Sequence, residues 1–198
     1  IENDSAGRTL MEGLTECTGR GVKVYVLYDS YGSTKVSHPL TGDMVDKYAV
    51  RGIEIEAFNP VVNSLPRDHR KLTVIDGRTA YVGGMNITES NLECSESAYL
   101  TRDLTLRLEG PVAGNLVGCF ERTWYSVSST PLPSRESRTM SSTETDCGHI
   151  SRNSGSGRVF DNVSIAVADT YGKRTSLTPE NIFENLIRAS ESEIRIVN

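Results

Sequence analysis

His69 and Lys71 stand two residues apart and are followed by Asp76, the pair Gly83-Gly84, and Asn86. An imidazole works as an acid or base near neutrality and is also a competent nucleophile toward phosphorus. A lysine ammonium grips a phosphoryl oxygen through a charge-assisted hydrogen bond, and the amide of an asparagine donates to another. The chemistry these types point to is nucleophilic phosphoryl transfer, in which a covalent intermediate divides one hard step into two. Donors held ready around the phosphoryl group stabilise the charge that builds in the transition state, and one such donor is worth ~3–4 kcal/mol. The neighbourhood is locally basic: Arg67, Arg70, Lys71 and Arg78 face only Asp68 and Asp76.

A hairpin must position these groups. Lys71 to Ile75 reads as a strand, Asp76-Gly77 as a turn pair, and Thr79 to Val82 as the returning strand. Side chains alternate along a strand, so His69, Lys71 and Thr73 share one side while Leu72 and Val74 enter a core. The turn returns Gly83 and Gly84 to the start of the first strand, where their lack of side chains lets a phosphate approach the backbone. Asp76 completes the candidate catalytic set, in a role that reads as capping the turn. Asp103, at the head of the next strand, is the candidate carboxylate to fix the tautomer of His69. Asp29 ends a strand and reads first as a simple turn residue, with lining of the site as the alternative, and His38 and His149 lie in polar loop contexts.

Other elements follow from periodicity. Asn3-Asp4-Ser5 is a helix start, with Leu10, Leu14 and Cys17 on one face and an end at Gly19 to Gly21. Val22 to Tyr28 is a strand, residues 29–33 a loop, Thr41 to Ala49 a helix, and Gly52 to Phe58 a strand stopped by Asn59-Pro60. Asp103 to Leu108 is a further strand. Pro111 suits the first turn of a helix that runs to about Tyr125, with Val112, Leu116, Cys119, Phe120 and Trp124 inward. Residues 126–157 are rich in Ser, Thr, Gly and Pro and read as a linker or surface loop. Val163 to Val167 is a strand, a helix starts at Thr178-Pro179, and Ser192 leads into a last strand at Ile194 to Asn198. The helix–strand alternation specifies an α/β protein with a largely parallel sheet.

Composition excludes several classes. The formal net charge is −5, which argues against a protein that coats nucleic acid. Cys17, Cys94, Cys119 and Cys147 have no metal-binding spacing and read as reduced thiols. No apolar run approaches the ~20 residues that span a bilayer. The chain opens on Ile and closes within an apparent strand, which reads as a piece of a longer protein, with the final helix and strand resembling what would precede residue 1 in a two-fold repeat.

Residues 69–86 match H-x-K-x4-D-x6-G-G-x-N at every fixed position and so resemble the phospholipase D superfamily. Gly21 to Asp29, Arg67 to Leu72, Arg102-Asp103, Glu109 to Pro111 and Phe120 to Trp124 look like its bacterial cardiolipin synthase-like branch. The resemblance covers residues 20–125 well and 158–198 more loosely. It implies a mixed, largely parallel sheet between helices, an α/β/α sandwich truncated in its second half. Residues 1–125 would form the first catalytic half, 126–157 the linker, and 158–198 the start of the second half. It implies a phosphatidyltransferase or phospholipase acting on phospholipids, with water or an alcohol as acceptor. One histidine forms a phosphohistidine and a histidine from a second motif, in cis and beyond residue 198, protonates the leaving alcohol. No metal or cofactor is required. Peripheral contact with the cytoplasmic side of a bacterial inner membrane follows. An endonuclease of the same chemistry and a non-catalytic lipid-binding relative are the alternatives, and the acidic balance disfavours a nucleic-acid partner.

Overall fold

The computed structural model describes residues 1–59, 67–91, 103–133, 160–165, 167, 184–185 and 187–194. Helix α1 (Ser5–Gly19) starts where the Asp4 carboxylate accepts the Gly7 N–H at 2.9 Å, a side-chain cap for an otherwise unpaired donor. Strand β1 (Val24–Asp29) follows, then a short helix α2 (Ser30–Thr34), helix α3 (Gly42–Ala49) and strand β2 (Ile53–Phe58). The chain resumes with β3 (Lys71–Ile75), β4 (Thr79–Gly83), a single 3-10 turn at Glu89–Asn91, β5 (Thr105–Glu109) and helix α4 (Pro111–Ser128).

The sheet is mixed. Strands β1 and β2 pair in parallel from Val24 opposite Ile53 to Asp29 opposite Phe58. Strands β3, β4 and β5 form an antiparallel set in which Lys71, Gly83 and Thr105 stand in one row. Parallel pairing is therefore confined to β1–β2 among the described strands. The short reversal from β3 to β4 permits antiparallel pairing alone, whereas β4 and β5 pair antiparallel across the longer connection of residues 84–104. At the β3–β4 reversal Arg78 N–H donates to Ile75 C=O at 3.0 Å. Asp76 (φ 50°) and Gly77 (φ 58°) are both left-handed there, the backbone that a type I′ hairpin turn demands.

Two apolar clusters hold the layers. Met11, Tyr48 and Ile53 are buried where α1 and α3 cover β1–β2, with Leu14, Val24, Val26, Met44 and Ile55 packed around them. Ala80, Val112, Ala113 and Leu116 are buried between α4 and the antiparallel strands, with Leu72, Val74, Val82 and Leu108 against them. Alternation along β1 explains the third layer: Val24 and Val26 face α1 and α3, whereas Tyr25 meets Trp124 of α4 edge-on at 5.4 Å. Phe120 stacks on the same indole at 5.9 Å.

Several expectations need adjustment. Met11, not Leu10 or Cys17, is the buried residue in the middle of α1, because the inward stripe is turned by one position. Residues 30–34 are helical rather than looped, since the Asp29 carboxylate caps them through Gly32 N–H at 2.8 Å. Helix α4 continues past Tyr125 to Ser128, so the segment read as a linker starts later; its residues 134–157 lie outside the described residues. Val163, Ser164 and Ile165 are exposed and carry no strand pairing, and a strand exists only through a partner. A helical turn is present at residues 184–185 and 187–188, with Ile187 half-exposed and an Arg188–Glu184 ion pair at 2.6 Å. Residues 195–198, read as a terminal strand, are outside the described residues, as are Cys94 and Cys147; Cys17 and Cys119 are free thiols.

Tyr48 is fully buried and its hydroxyl has no hydrogen-bond partner. An unpaired buried hydroxyl costs ~1–3 kcal/mol. Tyr48→Phe is expected to stabilise the chain by about 1 kcal/mol, read as a higher midpoint in thermal unfolding; a lower midpoint would show that the hydroxyl is satisfied.

Candidate active site

The segment that carries His69 is held at the carboxyl end of β1. Asp29 accepts the N–H of Asp68 on one carboxylate oxygen at 3.0 Å, while the other takes Gly32 N–H at 2.8 Å and faces Arg67 at 3.5 Å. The Arg67 guanidinium also lies 4.7 Å from the centre of the Tyr31 ring, a cation–π distance. Carboxyl ends of parallel strands are where open α/β sheets hold ligands, so His69 enters at the position this architecture favours. Asp29, read from sequence as a turn residue, is the organiser of this junction. Its signal was there to be read: an aspartate followed by Ser-Tyr-Gly-Ser is a capping sequence as much as a turn.

From Asp68 onward the chain alternates. Asp68, Arg70, Leu72 and Val74 are on the α4 side: Arg70 reaches Thr123 of α4 at 2.5 Å and the two aliphatic residues pack in the α4 cluster. His69, Lys71 and Thr73 consequently occupy the opposite side, as the sequence requires. His69 is exposed and Lys71 half-buried. The Lys71 ammonium folds back and donates to the His69 carbonyl at 2.8 Å, which brings both functional groups to one end of the hairpin. Across the ladder Lys71 faces Gly83, so no neighbouring side chain crowds it there.

The glycine pair has a second reason to be glycine. A Cβ on Gly83 would strike the Leu104 carbonyl and Thr105, and one on Gly84 would strike the Asp103 carboxylate. Gly84 N–H is bonded to Leu104 C=O at 3.2 Å. The close backbone approach of the chain entering β5 demands glycine at position 83 before any phosphate is considered, whereas at Gly84 the obstacle is the end of the Asp103 side chain, which can turn aside. That approach places Asp103 near Lys71. The Asp103 carboxylate accepts Leu104 N–H at 2.7 Å and makes no hydrogen bond to His69, so the expected orienter of the imidazole stands instead beside the ammonium.

Asn86 is exposed on the chain leaving β4, which runs past the residue opposite Lys71 toward His69. Its loop is tied to the start of α1: Glu2 N–H donates to Ile87 C=O at 3.2 Å, and Glu89 N–H donates to Asp4. Buried Thr88 closes the loop on Asn91 at 2.7 Å. Asp76, by contrast, lies exposed in the turn at the other end of β3, roughly 16 Å from Lys71 at strand rise. The structure thus brings His69, Lys71, Gly83, Gly84, Asn86 and Asp103 to one end of the hairpin and leaves Asp76 at the other.

A family model described as "Cardiolipin synthase, PLD-like domain" matches residues 5–124. The chain belongs to this family of phospholipase D-like domains. Among curated proteins, Cardiolipin synthase A of Pseudomonas syringae is 34% identical over 131 residues, covering 63% of this chain and 26% of its own length. The Probable cardiolipin synthase YwiE of Bacillus subtilis is 32% identical over 142 residues, covering 69% of this chain and 28% of its own. A Staphylococcus aureus cardiolipin synthase is 35% identical over 134 residues, covering 64% and 26%. The matched part is thus about a quarter of each relative's length. No described helix is long and apolar enough to cross a membrane.

Partial burial lowers the Lys71 pKa from its ordinary 10.5, against the opposing pull of Asp103, then Asp68, then Asp29. The sign follows from linkage: the folded chain gives up this proton at lower pH than the unfolded chain, so the charge weakens the fold below the lowered pKa, and that cost is relieved as pH rises toward 10.5. Anion binding has the opposite trend. Above about pH 8, where ordinary imidazoles are already neutral, sulfate affinity should fall as Lys71 deprotonates. In Lys71→Arg the affinity should persist to higher pH, because arginine stays charged. Calorimetric titration at several pH values checks this, and superimposable profiles for the two proteins would exclude Lys71 as the anion's partner.

Proposed function

We propose that this chain supplies the nucleophilic half of a phosphatidyl-transfer site acting on phospholipids. The observation that carries the reading is the pairing of His69 with the Lys71 ammonium on one side of the β3 strand, joined through the 2.8 Å bond to the His69 carbonyl, in a chain of the cardiolipin synthase PLD-like family. A ring nitrogen of His69 attacks the phosphorus of the phosphodiester. The bond from phosphorus to the leaving alcohol breaks, and a phosphohistidine forms. Lys71 and the Asn86 amide hold the non-bridging oxygens as their charge grows. Asp103 adds negative charge that favours the protonated form of Lys71.

The leaving alkoxide needs a proton, and the reading assigns it to an imidazole of a second His-x-Lys motif in cis. That imidazole then takes the proton of an incoming alcohol or water, whose oxygen attacks phosphorus and frees His69. Every bond made to His69 is broken again, and no cofactor enters the balance. The curated relatives carry the name cardiolipin synthase, which supports a second phospholipid as the acceptor alcohol. Substrates of this kind favour a site at a membrane surface, and the reading takes that surface to be the cytoplasmic one.

His69→Asn, in the protein with all the sequence its gene encodes, should abolish transfer of the phosphatidyl group between phosphatidylglycerol molecules in vesicles without lowering the unfolding midpoint. Lys71→Ala should lose ~10²–10³-fold in kcat, the worth of one preorganised oxyanion donor. An active His69→Asn protein would refute the assignment.

A further inference from the structure

Among the residues assigned a direct part in the chemistry, the His69 side chain is exposed, so packing does not hold it in place. Its position is inherited from the peptide units on either side, and these are braced in a manner the motif does not announce. Arg70 closes on Asp68 with Nε to one carboxylate oxygen at 2.8 Å and Nη2 to the other at 2.5 Å, while its own backbone N–H reaches the first oxygen at 3.1 Å. The same Nη2 reaches Thr123 Oγ1 at 2.5 Å. Thr123 is fully buried in α4, and its hydroxyl hydrogen goes to the Cys119 carbonyl at 3.2 Å. A hydroxyl that donates in one direction offers its lone pairs in the other, so the oxygen is set to accept from the guanidinium. The Asp68 side chain is 12% exposed and that of Arg70 32% exposed, so this pair is partly shielded from water.

We propose that Arg70, braced between Asp68 and the buried hydroxyl of Thr123, is the positioning residue that sets where His69 and Lys71 stand relative to helix α4. The inference rests on the phosphatidyl-transfer reading of His69. Residues 68 and 70 flank His69 in sequence and share the side of the chain opposite to it. Their clamp therefore fixes both peptide planes that orient the imidazole without touching the substrate. The flat guanidinium with its fixed fork of donors meets two acceptors at once, whereas a lysine ammonium is a point charge on a flexible stem. Helix α4 is a stiff reference, since its residues are buried against β3–β5 and its Trp124 contacts β1. The ammonium of Lys71 is bonded to the His69 carbonyl, so a shift of that peptide moves both groups together.

The test measures phosphatidyl transfer on phosphatidylglycerol vesicles by the complete protein, with thermal unfolding in parallel. Thr123→Val keeps shape and removes the acceptor; Thr123→Ser keeps the acceptor. The valine variant should lose about tenfold or more in kcat with KM within about twofold, since a displacement of ~1 Å at a reacting group can cost 10²-fold. The serine variant should recover most of that loss. Arg70→Lys should match the valine variant, and the two changes combined should cost no more than the larger alone, because they break one clamp. Should Thr123→Val fail to fold, the half-exposed position 70 carries the test by itself. Unchanged kcat in Arg70→Lys, with His69→Asn inactive, overturns the positioning role and leaves the reading of His69 intact. Full activity in His69→Asn overturns that reading itself.

Discussion

Helix α4 touches both sheets, and the site depends on that shared contact. Strands β1–β2 and β3–β5 are separate hydrogen-bonded sets among the described residues, so no ladder fixes one against the other. Val112, Ala113 and Leu116 bury against the antiparallel strands, while Trp124 meets Tyr25 of β1. Thr123, between those two regions, holds Arg70. A second tie comes from Asp29, whose carboxylate receives the N–H of Asp68. The histidine-bearing peptide is thus pinned from the end of β1 and from the side of α4. Both pins are hydrogen bonds to a carboxylate or a buried hydroxyl, groups that are expensive to leave unpaired.

This arrangement separates structural duties from chemical ones by the period of a strand. Even-numbered residues from Asp68 to Val74 face the helix, first as an ion pair and then as aliphatic packing. Odd-numbered residues from His69 to Thr73 face away and are free for substrate. Electrostatics follow the same division. Asp68 is engaged with Arg70 beneath the site, yet it and Asp29 are close enough to support the charge on Lys71, after Asp103. Burial disfavours the charge on the half-buried ammonium, Asp103, Asp68 and Asp29 oppose that effect, and the ammonium's hydrogen bond goes to the His69 carbonyl rather than to any one of these carboxylates. It remains available to an anion that arrives with more charge to share.

The glycine pair shows how one residue type can answer two demands. Sequence reasoning assigned Gly83 and Gly84 to phosphate access. The structure supplies a packing reason as well: the chain entering β5 passes where a Gly83 side chain would be, and the Asp103 carboxylate stands where a Gly84 side chain would be. That passage brings Asp103 beside Lys71 rather than into a bond with His69. The place of Asp103 at the head of the next strand suggested His69 as its partner, and only the path of the β4–β5 connection decides between them.

The hairpin and its two faces were legible from the sequence because strand alternation is strictly local: Leu72 and Val74 against His69, Lys71 and Thr73 need no tertiary information. The same holds for the Asp76-Gly77 turn, for the start of α4 at Pro111, and for most of its inward stripe. Thr123 was visible too, as a polar residue four places after Cys119 in that stripe. What it was for was not visible, because its partner Arg70 lies far away in sequence. The roles of Asp29 and Asp103, the pairing sense of the later strands, and the tie of the His69 segment to α4 through Arg70 were likewise decided by the tertiary structure. Each is a contact between distant segments, and the identity of such a partner is set by packing geometry rather than by any local preference of the chain.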